Sequence, residues 1–473
     1  MTAFVRWILG ASLLGPAFAQ PPAIFQDGVS NAASRVSTVL PFGAVAPGAR
    51  IRLSGVRFGN HPILILKSHD SSFKIKSLKT AERTAEFQLP RQMPLGDAEL
   101  SVEAEGGESR VFPLRITASA FGIQALSRSN RVVTLEGTGL GGGGEFEVVA
   151  AGIAIPADST SSGDDGIDQI RFRIPENLPK GCHLPVYVRT KSHVSNFVDL
   201  ADLPGCKDEE WPILNPRPKG AGSLILLRST LSAPPRSWTM DTAYAIFLTP
   251  GKRHLEAPLW FPLSPGQCRI QVSTEPLQRD ALHLPRINAA VHSSISAGSA
   301  IFCNKRALGP DSTGAYHANL GGSSPATRRR SPLFFEAGKN YALSAEGGKT
   351  GRFAVKAPFI DDLDFSLTGD RIDRSQRLTV RWRTSQPMVA VVVHSQTSSS
   401  IVEAVCAVDG SLGEFAVPMD ILRSLPPSDD APGALTGYVA VAAISRGTAF
   451  HSKGLDRGIA SAVRIQTHRT AFY

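Results

Sequence analysis

The sequence predicts an all-β chain of tandem two-sheet sandwich domains. Three observations carry this: short alternating strands, abundant turn residues and an internal repeat. Alternation is clearest in "ARIRLSGVRFGN" (Ala49–Asn60), where Ile51 and Leu53 interleave with Arg50, Arg52 and Ser54. Successive strand side chains point to opposite faces, so such a run has one dry and one wet face. Forty-three glycines and 34 prolines among 473 residues favour turns over long helices. Apolar residues at 42% and charged residues at 19% describe a globular chain with room for several domains.

The N-terminus reads "MTAFVRWILGASLLGPAFAQ", with Arg6 before a short apolar run and Ala17-Phe18-Ala19 before Gln20. That order is a secretory signal spanning 1–19 and cleaved near Ala19, and its apolar run is too short to span a bilayer. No later run reaches a membrane-spanning length. The expected location is therefore periplasmic or extracellular, with no transmembrane segment once the signal is removed. A formal net charge of +9 is mild for this length. Its one dense cluster, "TRRRSP" (Thr327–Pro332), reads as an exposed basic loop. Nothing resembles a nucleic-acid module.

Two blocks occur twice in the same order. Leu53, Gly55, Phe58 and Gly59 match Leu135, Gly137, Leu140 and Gly141. "FQLPRQMPLGDAELSVEA" (Phe87–Ala104) matches "FRIPENLPKGCHLPVYVR" (Phe172–Arg189). Recurrence at a nearly constant offset of roughly 80–85 residues marks a duplicated unit. Paired prolines forbid a helix and a central strand in the second block, so it is a stiff turn leading into an alternating strand. A unit of this size, with short strands at these intervals, has an immunoglobulin-like rhythm. Module 1 is placed at 25–118 and module 2 at 119–206.

The stretches "GAVAPGARIRLSGVRFG", "LPRQMPLGDAELSV" and "IPENLPKGCHLPVYVRTKSHVSNFVDL", with "LFFEAGKNYALSAEGGKTGRFAVKAP" and "EAVCAVDGSLGEFAVPMDILRSLP" further on, resemble a family of exported proteins. That family is known mainly from acidobacteria and is built from immunoglobulin-like modules of the IPT/TIG type. The resemblance covers most of the chain beyond the signal. It implies a disulfide between Cys182 and Cys206, and it carries over no catalytic residue. Module 1 has Asp97 where module 2 has Cys182, so that bond would belong to module 2 alone.

Beyond Cys206 the polar, Pro/Gly-rich stretch 207–218 reads as a linker. Short strands bounded by Pro, Gly or Ser then predict a third β-sandwich-like domain over 219–357 and a fourth over 358–473. "VPMDILRSLP" (Val417–Pro426) is the one helical turn expected. The five cysteines show neither CxxC spacing nor His at zinc-ligand spacing, which argues against a metal centre. In an oxidising compartment disulfides are the default. Cys182–Cys206 is the best-placed pair, closing a loop worth roughly 3 kcal/mol. Cys268–Cys303 is the next pairing and leaves Cys406 over.

No catalytic motif stands out. GxSxG and HExxH are absent. "AEGGKTG" (Ala345–Gly351) ends like a phosphate-binding loop, but Leu343 occupies the position of its first glycine, and a hairpin turn fits better. Gly141–Gly144 suits a strand connection, with no helix following to present amides to an anion. Asp164, Asp165 and Asp168 gather in one loop and are the calcium candidates, although calcium needs six to eight oxygens. Asp361 and Asp362 mark an acidic seam between the third and fourth domains. Trp382 alternates with Arg381 and Arg383 and faces the core. Trp238 and Trp260 lie in turn-like surroundings and are the candidate glycan platforms. No cofactor is nominated. The expectation is a non-enzymatic, exported interaction protein whose partner is an extracellular protein or polysaccharide. The alternative is a secreted hydrolase with its site in the third or fourth domain.

Overall fold

The computed structural model describes residues 20–34, 44–68, 71–141, 145–178, 184–191, 193–200, 220–249, 266–273, 293–311, 314–325, 330–367, 369–397, 401–428 and 435–473. Cys182, Cys206, Trp260, the signal segment and the 207–218 linker lie outside these residues.

The described chain is all-β. Module 1 comprises β1 (Ala23–Asn31), β2 (Arg50–Val56), β3 (Ile63–Ser68), β4 (Ser71–Lys76), β5 (Lys79–Ala81), β6 (Thr84–Gln88), β7 (Gly96–Ala104), β8 (Gly107–Glu108) and β9 (Phe112–Ile116). Its sheets, ordered β1-β2-β6-β5 and β4-β3-β7 with β8 and β9 both beside β7, enclose Ile51, Leu53, Phe58, Leu64, Phe87 and Leu100. Module 2 repeats the plan with β10 (Gly122–Ser129), β11 (Val132–Thr138), β12 (Glu147–Ala150), β13 (Ile153–Ile155), β14 (Ala157–Ser162), β15 (Asp168–Arg173), β16 (Leu184–Arg189) and β17 (Val198–Leu200). Its sheets run β10-β11-β15-β14 and β13-β12-β16-β17.

The duplication extends to backbone detail. Ile24 pairs with Gly55 next to a bulge in β1, and Ile123 pairs with Gly137 next to a bulge in β10. A Cβ on Gly55 would collide with the Ala23 carbonyl oxygen, and one on Gly137 with that of Gly122. Gly59 and Gly141 both hold left-handed φ, +65° and +70°, where a side chain is strained. The repeated glycines thus serve backbone geometry in both copies.

The second half contributes β18 (Ala221–Ala233), β19 (Arg236–Thr249), β20 (Gln267–Ser273), β21 (Ser293–Ser294), β22 (Ile301–Cys303), β23 (Arg306–Pro310), β24 (Tyr316–Gly322), β25 (Asn340–Ala345) and β26 (Phe353–Pro358). After these come β27 (Asp364–Ser366), β28 (Arg371–Ile372), β29 (Leu378–Arg383), β30 (Met388–Gln396), β31 (Ile401–Asp409) and β32 (Glu414–Val417). The helical turn α1 (Met419–Ser424) precedes β33 (Gly437–Ile444), β34 (Thr448–Ser452), β35 (Leu455–Arg469) and β36 (Ala471–Phe472).

The boundary expected at 357/358 is not a boundary between sheets. One large sheet runs β20-β31-β30-β33-β35-β18-β19-β24-β23-β22-β25-β26. β18 and β35 lie parallel, in register from Ala221↔Arg457 to Ser232↔His468. β20, expected in the third domain, forms an edge beside β31 in the fourth. Long-range pairing of this kind leaves no local signature, because each strand alternates equally well beside any neighbour.

Two cores lie along one face of this shared sheet, and a third apolar cluster of Ile225, Leu227, Met388, Val392 and Ile465 covers the opposite face. Leu224, Phe247, Tyr316, Leu343, Phe353 and Phe450 pack at the β18–β26 end of that first face. Trp382, Val391, Cys406, Phe415, Leu422 and Val439 pack at its β20–β33 end, beneath β27-β29-β32. No helix among the described residues is long and apolar enough to cross a membrane.

Candidate functional site

The acidic loop Gly163–Ile167 lies at the junction of the two modules. Its carbonyls are acceptors for module 1 side chains: Arg91 Nη2 donates to Gly163 O, Gln88 Nε2 to Asp164 O at 2.9 Å, and Arg50 Nε to Asp165 O at 2.7 Å. Arg50 also lies 3.5 Å from the Asp165 carboxylate, and Arg91 3.7 Å from that of Asp164. Asp168 points away from them into module 2. Its Oδ2 accepts the backbone N–H of Gly139 at 2.9 Å and of Leu140 at 2.8 Å.

The three aspartates proposed for calcium are therefore divided between arginines and buried amides. No cluster of three or more His, Cys, Asp or Glu side chains among the described residues could hold a metal. The backbone amides just before the glycine stretch, those of Gly139 and Leu140, are thus taken by the chain's own Asp168.

Deeper in the junction, Asn31 donates to Ala120 O at 3.2 Å and to Thr138 O at 3.1 Å. Thr138 in turn accepts Arg50 N through its hydroxyl at 2.7 Å. Module 2 also packs against the C-terminal half. Val149, Tyr187 and Phe197 belong to the same apolar cluster as Trp382 and Cys406, and the Tyr187 and Phe197 rings stack 4.2 Å apart.

Two buried polar groups lie in the C-terminal half, and sequence reading found neither as a unit. Asp241, fully buried, accepts Arg228 Nε at 2.7 Å and Nη2 at 2.9 Å, and the amides of Phe334 and Phe335 at 2.7 and 2.8 Å. Asp361 bridges Arg228, through Nη1 at 2.5 Å, to Arg464, whose Nε lies 2.7 Å away. Burial opposes the Arg228 charge, but the Asp241 and Asp361 carboxylates overcome it and hold its pKa above the ordinary value. Burial lowers that of Arg464. Asp361 thus ties β18 to β35, at the acidic seam expected there.

The second group is His394, Glu403 and Tyr438 on β30, β31 and β33. His394 Nδ1 lies 3.0 Å from Glu403 Oε2, the Tyr438 hydroxyl donates to the same oxygen at 2.8 Å, and the His and Tyr rings stack at 4.4 Å. A carboxylate-oriented imidazole is a component of general-base machinery. Neighbouring Ser395 is occupied elsewhere, donating to Pro426 O at 2.6 Å. The only clue in the sequence was a His ending the apolar run "MVAVVVHSQ". Its partner, nine residues away, is set by strand register.

The second cysteine pairing is corrected. Cys268 bonds to Cys406, facing it across the β20–β31 ladder, and not to Cys303. Cys303 is a free thiol in the core between β22 and its neighbours, and burial pushes its pKa up to about 12. The residues expected to be spare and paired exchange places because β20 crosses to the other core.

Trp238 stands near the tip of the β18–β19 hairpin, inside β19 rather than in a turn. It is half-buried against Leu231, Met240 and Leu435. Trp382 is buried as expected, its Nε1 donating to Gly410 O at 2.9 Å.

No family model matches this chain, and no curated protein does. Among solved structures it is similar to SGBP-B of a Bacteroides ovatus mixed-linkage glucan utilization locus, in complex with a mixed-linkage heptasaccharide. The identity is 15% over 32% of this chain and 40% of that one, with a TM-score of 0.21. It is similar too to SGBP-B from a complex xyloglucan utilization locus in Bacteroides uniformis, at 10% identity over 86% and 88% of the two chains (TM-score 0.17). Murine CEACAM1b is 11% identical over 34% of this chain and 96% of its own, with a TM-score of 0.13. The chain spans less than half the length of the first of these. Likeness at this level transfers neither a ligand nor an activity.

Proposed function

We propose that this chain is an exported, non-enzymatic multi-domain β-protein that acts in cell-surface or extracellular interaction, with glycan as the ligand class. The observation that carries the reading is the continuous set of junctions. Module 1 is clamped to module 2 through Asn31, Arg50 and Arg91, and module 2 shares an apolar cluster with the C-terminal sandwich. Such junctions hold binding faces in a fixed relative geometry, as presentation of a surface to a large partner requires. Export rests on the N-terminal signal pattern.

Trp238, half-buried beside Leu231, Met240 and Leu435, is the platform residue in this reading. A glycan array with the wild-type chain and Trp238→Ala tests it, alongside a pull-down from cell-envelope fractions. Wild-type binding that Trp238→Ala weakens supports the platform, and absence of any glycan or envelope partner refutes the reading.

The alternative, a secreted hydrolase, draws on the buried His394–Glu403 pair. Turnover of a glycan or ester substrate that is abolished by His394→Ala in a folded protein would favour it.

A further inference from the structure

The sheet of the third region curls until β26 lies beside β34, with the Phe353 and Phe450 rings 4.8 Å apart inside the core. Alternation then turns Ala354 and Lys356 outward from β26, with exposed Arg352 just before it, and Ala449 and His451 outward from β34. Two turns interlock at one end of this face. Gly454 N donates to Thr350 O at 2.8 Å, Ser452 Oγ donates to the same carbonyl, and Thr350 N donates to Ser296 O at 3.1 Å. Thr350 is fully buried, which leaves Lys349 and Lys453 exposed on either side of it. A Cβ added to Gly351 would lie 3.2 Å from the Lys453 Cβ, so these turns are in direct contact.

Lys349, Arg352, Lys356 and Lys453 therefore share one face, with His451 among them. None of the four is engaged in an ion pair among the described residues. The acidic groups close by are Glu346, which follows β25, and Asp456, whose carboxylate accepts Gly220 N at 3.1 Å.

We propose that this β26–β34 face binds an acidic polysaccharide, carboxylated or sulfated. The inference rests on the glycan reading above and narrows its ligand class. Arg352 and Lys356 lie about 13 Å apart along an extended strand, a spacing that suits a polymer with repeated anionic groups better than a single small anion. Small residues stand between the cations: Ala354, Ala449 and Gly351, with Ala342 and Ser344 of β25 beside Lys356 and Ala354. His451 is the one aromatic ring there, and no Trp, Tyr or Phe is exposed beside it as a stacking platform or hydrophobic wedge. Attraction is then mainly electrostatic and falls with salt.

The test compares binding of the full chain to polygalacturonate, dextran sulfate, neutral dextran and duplex DNA, at low and high salt. The variants are the wild type, Lys349→Gln/Arg352→Gln/Lys356→Gln/Lys453→Gln, Glu346→Gln, and a charge-keeping Lys349→Arg/Lys356→Arg/Lys453→Arg. Circular dichroism and thermal unfolding verify that each variant folds. The expected result is salt-sensitive binding of the wild type to at least one acidic polysaccharide. The glutamine variant loses about tenfold or more in affinity, the arginine variant retains it, and Glu346→Gln gains. Unchanged affinity in the glutamine variant overturns the proposal, as does duplex DNA binding as tightly as the acidic polysaccharides. If only neutral glycans bind, this face is refuted and the glycan reading stands. If no polysaccharide binds at all, in these assays or on the array, both fall.

Discussion

Replacing Asp168 by Ala separates a structural carboxylate from a metal ligand. The wild-type carboxylate is buried and accepts two backbone amides, Gly139 N and Leu140 N, at 2.9 and 2.8 Å. Hydrogen bonds to a charged group contribute about 1.5–3 kcal/mol each, so losing two leaves a deficit of about 3–6 kcal/mol. Relaxation of the glycine-bearing loop favours the lower end. For a domain of 60–100 residues each kcal/mol shifts Tm by about 4–8 °C, and 3 kcal/mol corresponds to about 12 °C or more for module 2. Asp168→Asn keeps one acceptor oxygen without the charge and should lose about half as much. Calorimetry and urea unfolding measure the loss, and hydrogen exchange at Gly139 and Leu140 locates it. Calcium and EDTA should leave the wild-type Tm alike, because the carboxylate already has its donors. A bound ion at a hundredfold excess over Kd would instead add about 2.7 kcal/mol. The reasoning is refuted if Asp168→Ala lies within about 0.5 kcal/mol of wild type. A calcium-dependent gain present in wild type and absent in the variant would refute it equally.

Four other outcomes are expected. Cys303, its thiol held protonated below about pH 12, should resist iodoacetamide at pH 8 in the native protein and react on unfolding, while peptide mapping without reductant links Cys268 to Cys406. Gly55→Ala and Gly137→Ala should each cost about 1–3 kcal/mol by driving a methyl into a neighbouring carbonyl; Gly59→Ala, which meets no atom, should cost less, about 1 kcal/mol from its left-handed φ alone, and equal losses would contradict the steric account. Arg50→Ala/Arg91→Ala should remove no more than about 1 kcal/mol of stability, its ion pairs being partly exposed, yet broaden the solution scattering profile as the modules loosen, and an unaltered profile would count against the clamp. Asp241→Ala, which strips Arg228 and two buried amides of their acceptor, should destabilise the C-terminal half by about 3–5 kcal/mol; a urea-unfolding loss under about 1 kcal/mol would contradict that role.

Local chemistry by itself determined the all-β class, the duplicated module and the strand-and-turn role of "ARIRLSGVRFGN". Alternation, paired prolines and glycines at positive φ act within a few residues, so their consequences are written next to them. The burial of Trp382 and the helical turn at Met419–Ser424 were legible for the same reason. What tertiary structure decided was every pairing across distance. Cys268 meets Cys406 at a separation of 138 residues because β20 crosses to the far core. β18 joins β35 in parallel, so one sheet crosses the boundary expected at 357/358. Asp168 turns to the amides of its own module while Asp164 and Asp165 reach the arginines of the other. His394 finds Glu403, and β26 finds β34, only through register and sheet curvature. A strand's pattern states which face is dry; which neighbour lies beside it is settled by the energy of the whole packed sheet.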